Sequence, residues 1–114
     1  MARTPADASV AVTGVADDLP ITPQATTSRV AVDNDVVRVV LFAFDTGEQL
    51  TEHTAAMPAL VQLVRGTMRF EVAGEVHELS AGDCVYLAAR EPHALTAHEP
   101  CLMSLTLVRS GGES

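Results

Sequence analysis

This sequence predicts an all-β domain, a sandwich or short barrel. Short apolar runs rich in β-branched residues recur about every 8–12 residues from Ser28 onward, and turn-forming residues divide them. No stretch holds a helical period over three turns, so helix is expected to be minor.

The runs can be taken in order. Ser28–Val32 ends at the polar turn Asp33-Asn34-Asp35. Val36–Phe44 is nearly continuous apolar sequence and stops at Asp45-Thr46-Gly47. Gln49–Ala55 precedes the break at Met57-Pro58, and Ala59–Val64 leads into Gly66. Thr67–Val72 and Glu75–Leu79 form a hairpin across Ala73-Gly74. Cys84–Leu87, His93–Ala97 and Leu102–Val108 complete the set. Residues 1–27 mix Ala, Thr, Asp and Pro without sustained periodicity and are expected to form an arm, mobile or ordered against a partner. Residues 28–109 then make the domain, and residues 110–114 read as a tail.

Composition narrows the function classes. The chain has 114 residues and 47% hydrophobic content, enough for one domain with its own core. Aromatics are only 4%, so Ala, Val and Leu must supply most of the packing. The net charge is −8, there is no lysine, and the seven arginines are scattered along the chain. Nucleic acid and anionic membranes both need a clustered basic patch, so neither is an expected partner. Met1–Pro20 lacks an apolar stretch behind a basic start, and no window is long and apolar enough to span a bilayer. Cytoplasmic residence is the default expectation. Cys84 and Cys101 do not form a paired spacing, so a disulfide framework or zinc knuckle is not expected. Neither has a neighbouring base or cation that would activate it, and both read as buried structural thiols.

Two motifs carry a resemblance. Gly47 is followed after five residues by His53; the next alternate position is Ala55, a further position is Ala59, and the segment closes on Gly66. The second segment starts at Gly82, runs through Ala88 and Arg90, and reaches His93 and then Ala97. This pattern resembles the two motifs of the cupin superfamily, and the likeness covers Ser28 to Arg109. Ala55 and Ala59 stand where the family has a second His and a Glu. Ala88, Arg90 and Ala97 replace its Pro, Gly and Asn. The segment between the motifs, Thr67 to Ala81, is at the short end of the family's range. The resemblance implies a double-stranded β-helix, the jelly-roll-like cupin barrel. It also implies a homodimer and a divalent metal (Zn, Ni, Fe or Mn), for which His53 and His93 are the surviving ligands.

The residues themselves allow several chemistries. Strand alternation puts His53, Ala55 and Ala59 on one interior face, and His93, Leu95 and Ala97 on a facing strand. Two imidazoles alone hold a divalent ion weakly, and an open catalytic site normally needs three protein ligands. His77, His98, Glu52 and Gln62 are the candidates for a third. Alternation turns His98, Glu52 and Gln62 away, unless a bulge intervenes, and leaves the face of His77 open. Ala55 and Ala59 remove charge and bulk, which leaves an apolar interior with Met57, Tyr86 and Met103 as lining residues. Phe70 and Leu105 fit a plain core role better. The leading expectation is a small organic ligand held between His53, His93 and these apolar walls. The alternatives are a metal-dependent oxygenase, isomerase or decarboxylase using His53 and His93, or a non-catalytic dimeric scaffold or sensor module.

Overall fold

Nine strands follow one another in the computed structural model, which describes residues 3–17 and 19–109. They are β1 (Thr26–Asp33), β2 (Val37–Phe44), β3 (Gln49–His53), β4 (Ala59–Arg65), β5 (Thr67–Val72), β6 (Glu75–Ser80), β7 (Cys84–Leu87), β8 (His93–Ala97) and β9 (Cys101–Val108). No helix occurs among the described residues. The expected runs and these strands agree to within two residues at every end. The largest differences are at the start of β1 and at the end of β3, which stops at His53. The expected tail at 110–114, and Asp18 in the arm, lie outside the described residues.

The strands form two antiparallel sheets, ordered β1-β2-β9-β4-β7 and β3-β8-β5-β6. Alternating side chains supply the core between them. In β4, Ala59, Val61 and Leu63 are buried while Leu60, Gln62 and Val64 are exposed. In β8, His93, Leu95 and Ala97 are the buried set. Phe44, Leu63, Met68, Phe70, Leu79, Leu87, Cys101 and Met103 fill the space where the two inner faces meet. With so few aromatics, Phe44 and Phe70 are the largest side chains fully enclosed.

A second, smaller cluster lies on the outer face of the five-stranded sheet. Leu19 is buried there with Ala43 and Leu102. The described part of the N-terminal arm therefore lies against its own barrel. It is tied at two further places. Thr4 N–H donates to Asp33 O at 2.9 Å, and Arg3 bonds Asp35 at 3.0 Å. Gln24 N–H donates to Asp45 Oδ2 at 2.7 Å. The Arg109 guanidinium hydrogen-bonded to Asp33 holds that carboxyl below the usual carboxylate range, and backbone N–H donors from Gln24 and Thr46 do the same for Asp45.

Two turns show why particular residues are required. Gly66 joins β4 to β5 with φ +92°, and a Cβ there would sit 2.4 Å from Pro100 O and 2.8 Å from Cys101 Sγ. Gly47 has φ +82° but nothing within 4 Å of an added Cβ. One position therefore needs glycine for its backbone alone, the other for its backbone and its neighbours.

These features give two expected outcomes. Gly47→Ala should cost about 1–2 kcal/mol, the ordinary penalty of a left-handed alanine. Gly66→Ala should cost clearly more, about 3 kcal/mol or above, because backbone must also move; equal urea midpoints for the two variants would contradict the packing described. Asp33 and Asp45 are depressed carboxylates, so their contribution is in place above about pH 4 and is lost as pH falls through their lowered values. An Asp33→Asn/Asp45→Asn double variant should be less stable than the parent at neutral pH and lose less stability between about pH 5 and pH 3. Parallel acid unfolding curves would contradict that role.

Candidate functional site

Two connections carry the chain from one sheet to the other at the same end of the barrel. Residues 54–58 link β3 to β4, and residues 88–92 link β7 to β8. They are tied together, because Arg90 N–H donates to Ala55 O at 2.7 Å. Arg90 makes this bond with φ +67°, in the left-handed region that a glycine would enter without strain. Val108 N–H donates to Pro58 O at 2.9 Å and anchors the first connection to β9. This end is the barrel mouth.

His53 and His93 stand at the mouth as a register pair, and they correct one expectation: they are neighbours in the same sheet, not residues on facing strands. Leu50 pairs with Leu95 and His53 with His93, so three steps along β3 match two along β8. The extra residue is a bulge. Without it, His53 and Leu50 would point to opposite faces; with it, both join the face of His93 and Leu95. The two imidazole rings lie 4.2 Å apart, centre to centre, tilted by 60°. His93 is buried and its ring is parallel to Phe70 at 6.2 Å, while His53 is exposed.

Both rings are held in the same way. His53 Nδ1 lies 2.9 Å from Thr51 O, and His93 Nδ1 lies 2.9 Å from Glu91 O. A carbonyl oxygen can only accept, so Nδ1 carries the proton in each ring. In the neutral state both Nε2 atoms are left as acceptors. This is the orientation that a metal-binding histidine uses, with its second nitrogen fixed by a carbonyl.

The donor set nevertheless falls short of a resident-metal site. No group of three or more His, Cys, Asp or Glu side chains converges among the described residues. His77 Nε2 lies 3.5 Å from Glu75 Oε1, and His98 Nε2 is hydrogen-bonded to Glu78 Oε1 at 2.7 Å. Glu52 and Gln62 are exposed. Two imidazoles do not fit the three-ligand requirement of a catalytic zinc or iron centre.

The proposed lining divides into several groups. Ala55 and Met57 are partly buried in the connection at the mouth, and Ala59 is buried just beyond them. Met103 is buried further along, opposite Phe42 and Leu63. Tyr86 is a correction: it is 66% exposed on the outer face, because β7 turns Val85 and Leu87 inward. Cys84 is a correction of the same origin, an exposed free thiol sharing the outward phase of Tyr86. Cys101 is buried as expected. It donates through Sγ to Thr67 O and Glu99 O, and burial pushes its thiol up.

Two features were not anticipated. A groove of about 390 Å³ opens on the outer face of the four-stranded sheet, lined by Gln49, Thr51, Glu52, Arg69, Glu71 and Thr96. Apolar residues share its lining, and His93 is among the residues that line it. The second feature is Arg38, an interior-phase position on β2 in step with Val40, Phe42 and Phe44. Its alternation with those residues was a signal in the sequence, masked because the surrounding run is apolar on both faces.

The ring geometry is directly checkable. Long-range ¹H–¹⁵N spectra above the range of histidine protonation should show both rings as the Nδ1–H tautomer. An Nε2–H form for either ring would remove the carbonyl anchor described above.

A family model described as a cupin domain matches residues 40–108. No relative emerged among curated proteins. Among solved structures, a conserved protein of unknown function from Streptococcus pyogenes superposes with a TM-score of 0.79 at 23% identity, covering 96% of each chain. A cupin superfamily protein from Desulfitobacterium hafniense superposes at 0.78 with 18% identity, over 94% of this chain and 95% of that one. An RmlC-like cupin from Shewanella frigidimarina does so at 0.73 with 17% identity, over 85% and 89%. At such identities the structural likeness speaks for the fold, and it agrees with the two-sheet antiparallel barrel described above. The chain belongs to the cupin family.

Proposed function

We propose that the chain binds a small organic molecule at the barrel mouth, between His53, His93 and the apolar residues Ala55 and Met57. The observation that carries this reading is the histidine pair. Two rings at 4.2 Å, each with Nδ1 held by a backbone carbonyl, present two oriented Nε2 acceptors beside an apolar core. Fixing the rings in advance lowers the ordering cost of binding, and a few placed polar groups against apolar walls is the common form of a small-molecule site. A hydroxyl or N–H on the ligand would meet the free nitrogens, and its apolar body would cover Met57 and the edge of Val72.

The metal-dependent enzyme reading draws less support, because Ala55 and Ala59 leave the histidines without a third protein ligand. No catalytic step is assigned to the pair.

The test joins a fragment screen with elemental analysis. Small polar-headed fragments should perturb the amide and ring signals of His53, Ala55, Met57 and His93. Their affinity should fall about tenfold or more in a His53→Ala/His93→Ala double variant, the loss expected for two hydrogen bonds. Purified protein should hold metal well below stoichiometry. Fragments that map to the outer groove at Arg69 and Glu71 instead would overturn the assignment, as would stoichiometric metal that disappears in the double variant.

A further inference from the structure

Arg38 is a charged side chain at the head of a row that is apolar from β9 to β7. In register it stands beside Leu107, which stands beside Ala59, which stands beside Leu87. Ala59 and Leu87 are buried in the core, and Leu107 packs against it. β4 begins at Ala59 and β7 ends at Leu87, so this row borders the two connections that form the mouth. Arg38 and the histidine pair therefore occupy the same end of the barrel, one on each sheet.

The surroundings leave the guanidinium incompletely used. Arg38 Nε is fully buried and has no hydrogen-bond partner among the described residues. The carboxylate beside it in register is Asp33, which Arg109 chiefly, and Arg38 more weakly, hold below the usual carboxylate range. Asp33 Oδ1 is already bonded by Arg109 and lies 3.9 Å from Arg3. An arginine stays charged at physiological pH, and a buried donor on a cation is expensive to leave unmade. Such a group is retained where something else completes it.

We propose that Arg38 is the anion-binding residue of the mouth and that the ligand is a small organic acid with an apolar body. The inference rests on the mouth being the binding site. Arg38 Nε is covered by the protein's own atoms, so the side chain would turn toward the mouth on binding, and the ligand's carboxylate would then lie side-on against it, accepting from Nε–H and one terminal N–H in the paired geometry that guanidinium favours. Its body would cross the apolar row toward Val72. A polar substituent would then reach the free Nε2 atoms of His53 and His93. The ligand class follows from this combination of one permanent cation, two neutral acceptors and apolar walls.

Benzoate and its uncharged isostere benzamide test the assignment on the intact chain. Benzoate should shift the Arg38 Nε–Hε signal together with the ring signals of His53 and His93, and benzamide should bind about tenfold more weakly, as expected for losing a charge-assisted pair. Arg38→Met should reduce benzoate affinity by a similar factor while its melting temperature holds or rises, because an orphaned buried donor has been removed. Arg38→Lys keeps the charge without the paired donors and should fall between the two. If benzoate and benzamide move the histidine rings equally and Arg38→Met changes neither, the acid class fails while the mouth site stands. If neither compound moves the rings, the mouth site fails and the role of Arg38 with it. A melting temperature that drops sharply in both Arg38 variants, with benzoate affinity retained, would make the residue structural.

Discussion

The pairing of two sheet-to-sheet crossings at the mouth is the constraint on which the site depends. The chain crosses between the sheets at both ends of the barrel, and at the mouth the connections 54–58 and 88–92 do so side by side. The hydrogen bond from Arg90 N–H to Ala55 O fixes their spacing. Everything with chemical character at the mouth hangs from that frame: His53 just before one connection, His93 just after the other, and Ala59 where the first re-enters a strand. The bulge in β3 then decides that His53, though exposed at the rim, shares the face of His93. One inserted residue thus separates a paired imidazole site from a lone surface histidine.

Much of the fold was legible because its signals are local. Glycines at reversals, polar turns and period-two burial placed nine strands with small errors at their ends. The hairpin at Ala73-Gly74 was read correctly although Ala73 itself adopts φ +52°, a conformation alanine enters only with strain. What stayed hidden depends on register. Strand alternation cannot show whether two histidines face each other across the barrel or lie side by side in one sheet, since both place them on the inner surface. Nor could it show that Tyr86 and Cys84 are the outward pair of β7, because that phase is set by where β7 meets β4. Arg38 was hidden by its setting, in a run whose residues are apolar on both faces because the arm and Leu19 cover the outer one.

The departures from the family motifs have a physical sense at the mouth. Alanine at 55 and 59 removes donors and bulk, which lowers the capacity to hold a cation and leaves the imidazole nitrogens free for other partners. Arginine at 90 accepts the backbone strain that glycine would avoid, yet still closes the connection.

The two thiols diverge in a way that has practical weight. Cys101 is shielded in the core and bound to two carbonyls, while Cys84 is open on the outer surface of β7, across the sheet from the interior. The native chain therefore carries a single addressable sulfur for a dye, a spin label or a surface tether. Attachment there would leave the histidine pair unobstructed, so distances and motions at the mouth could be followed without introducing a foreign cysteine.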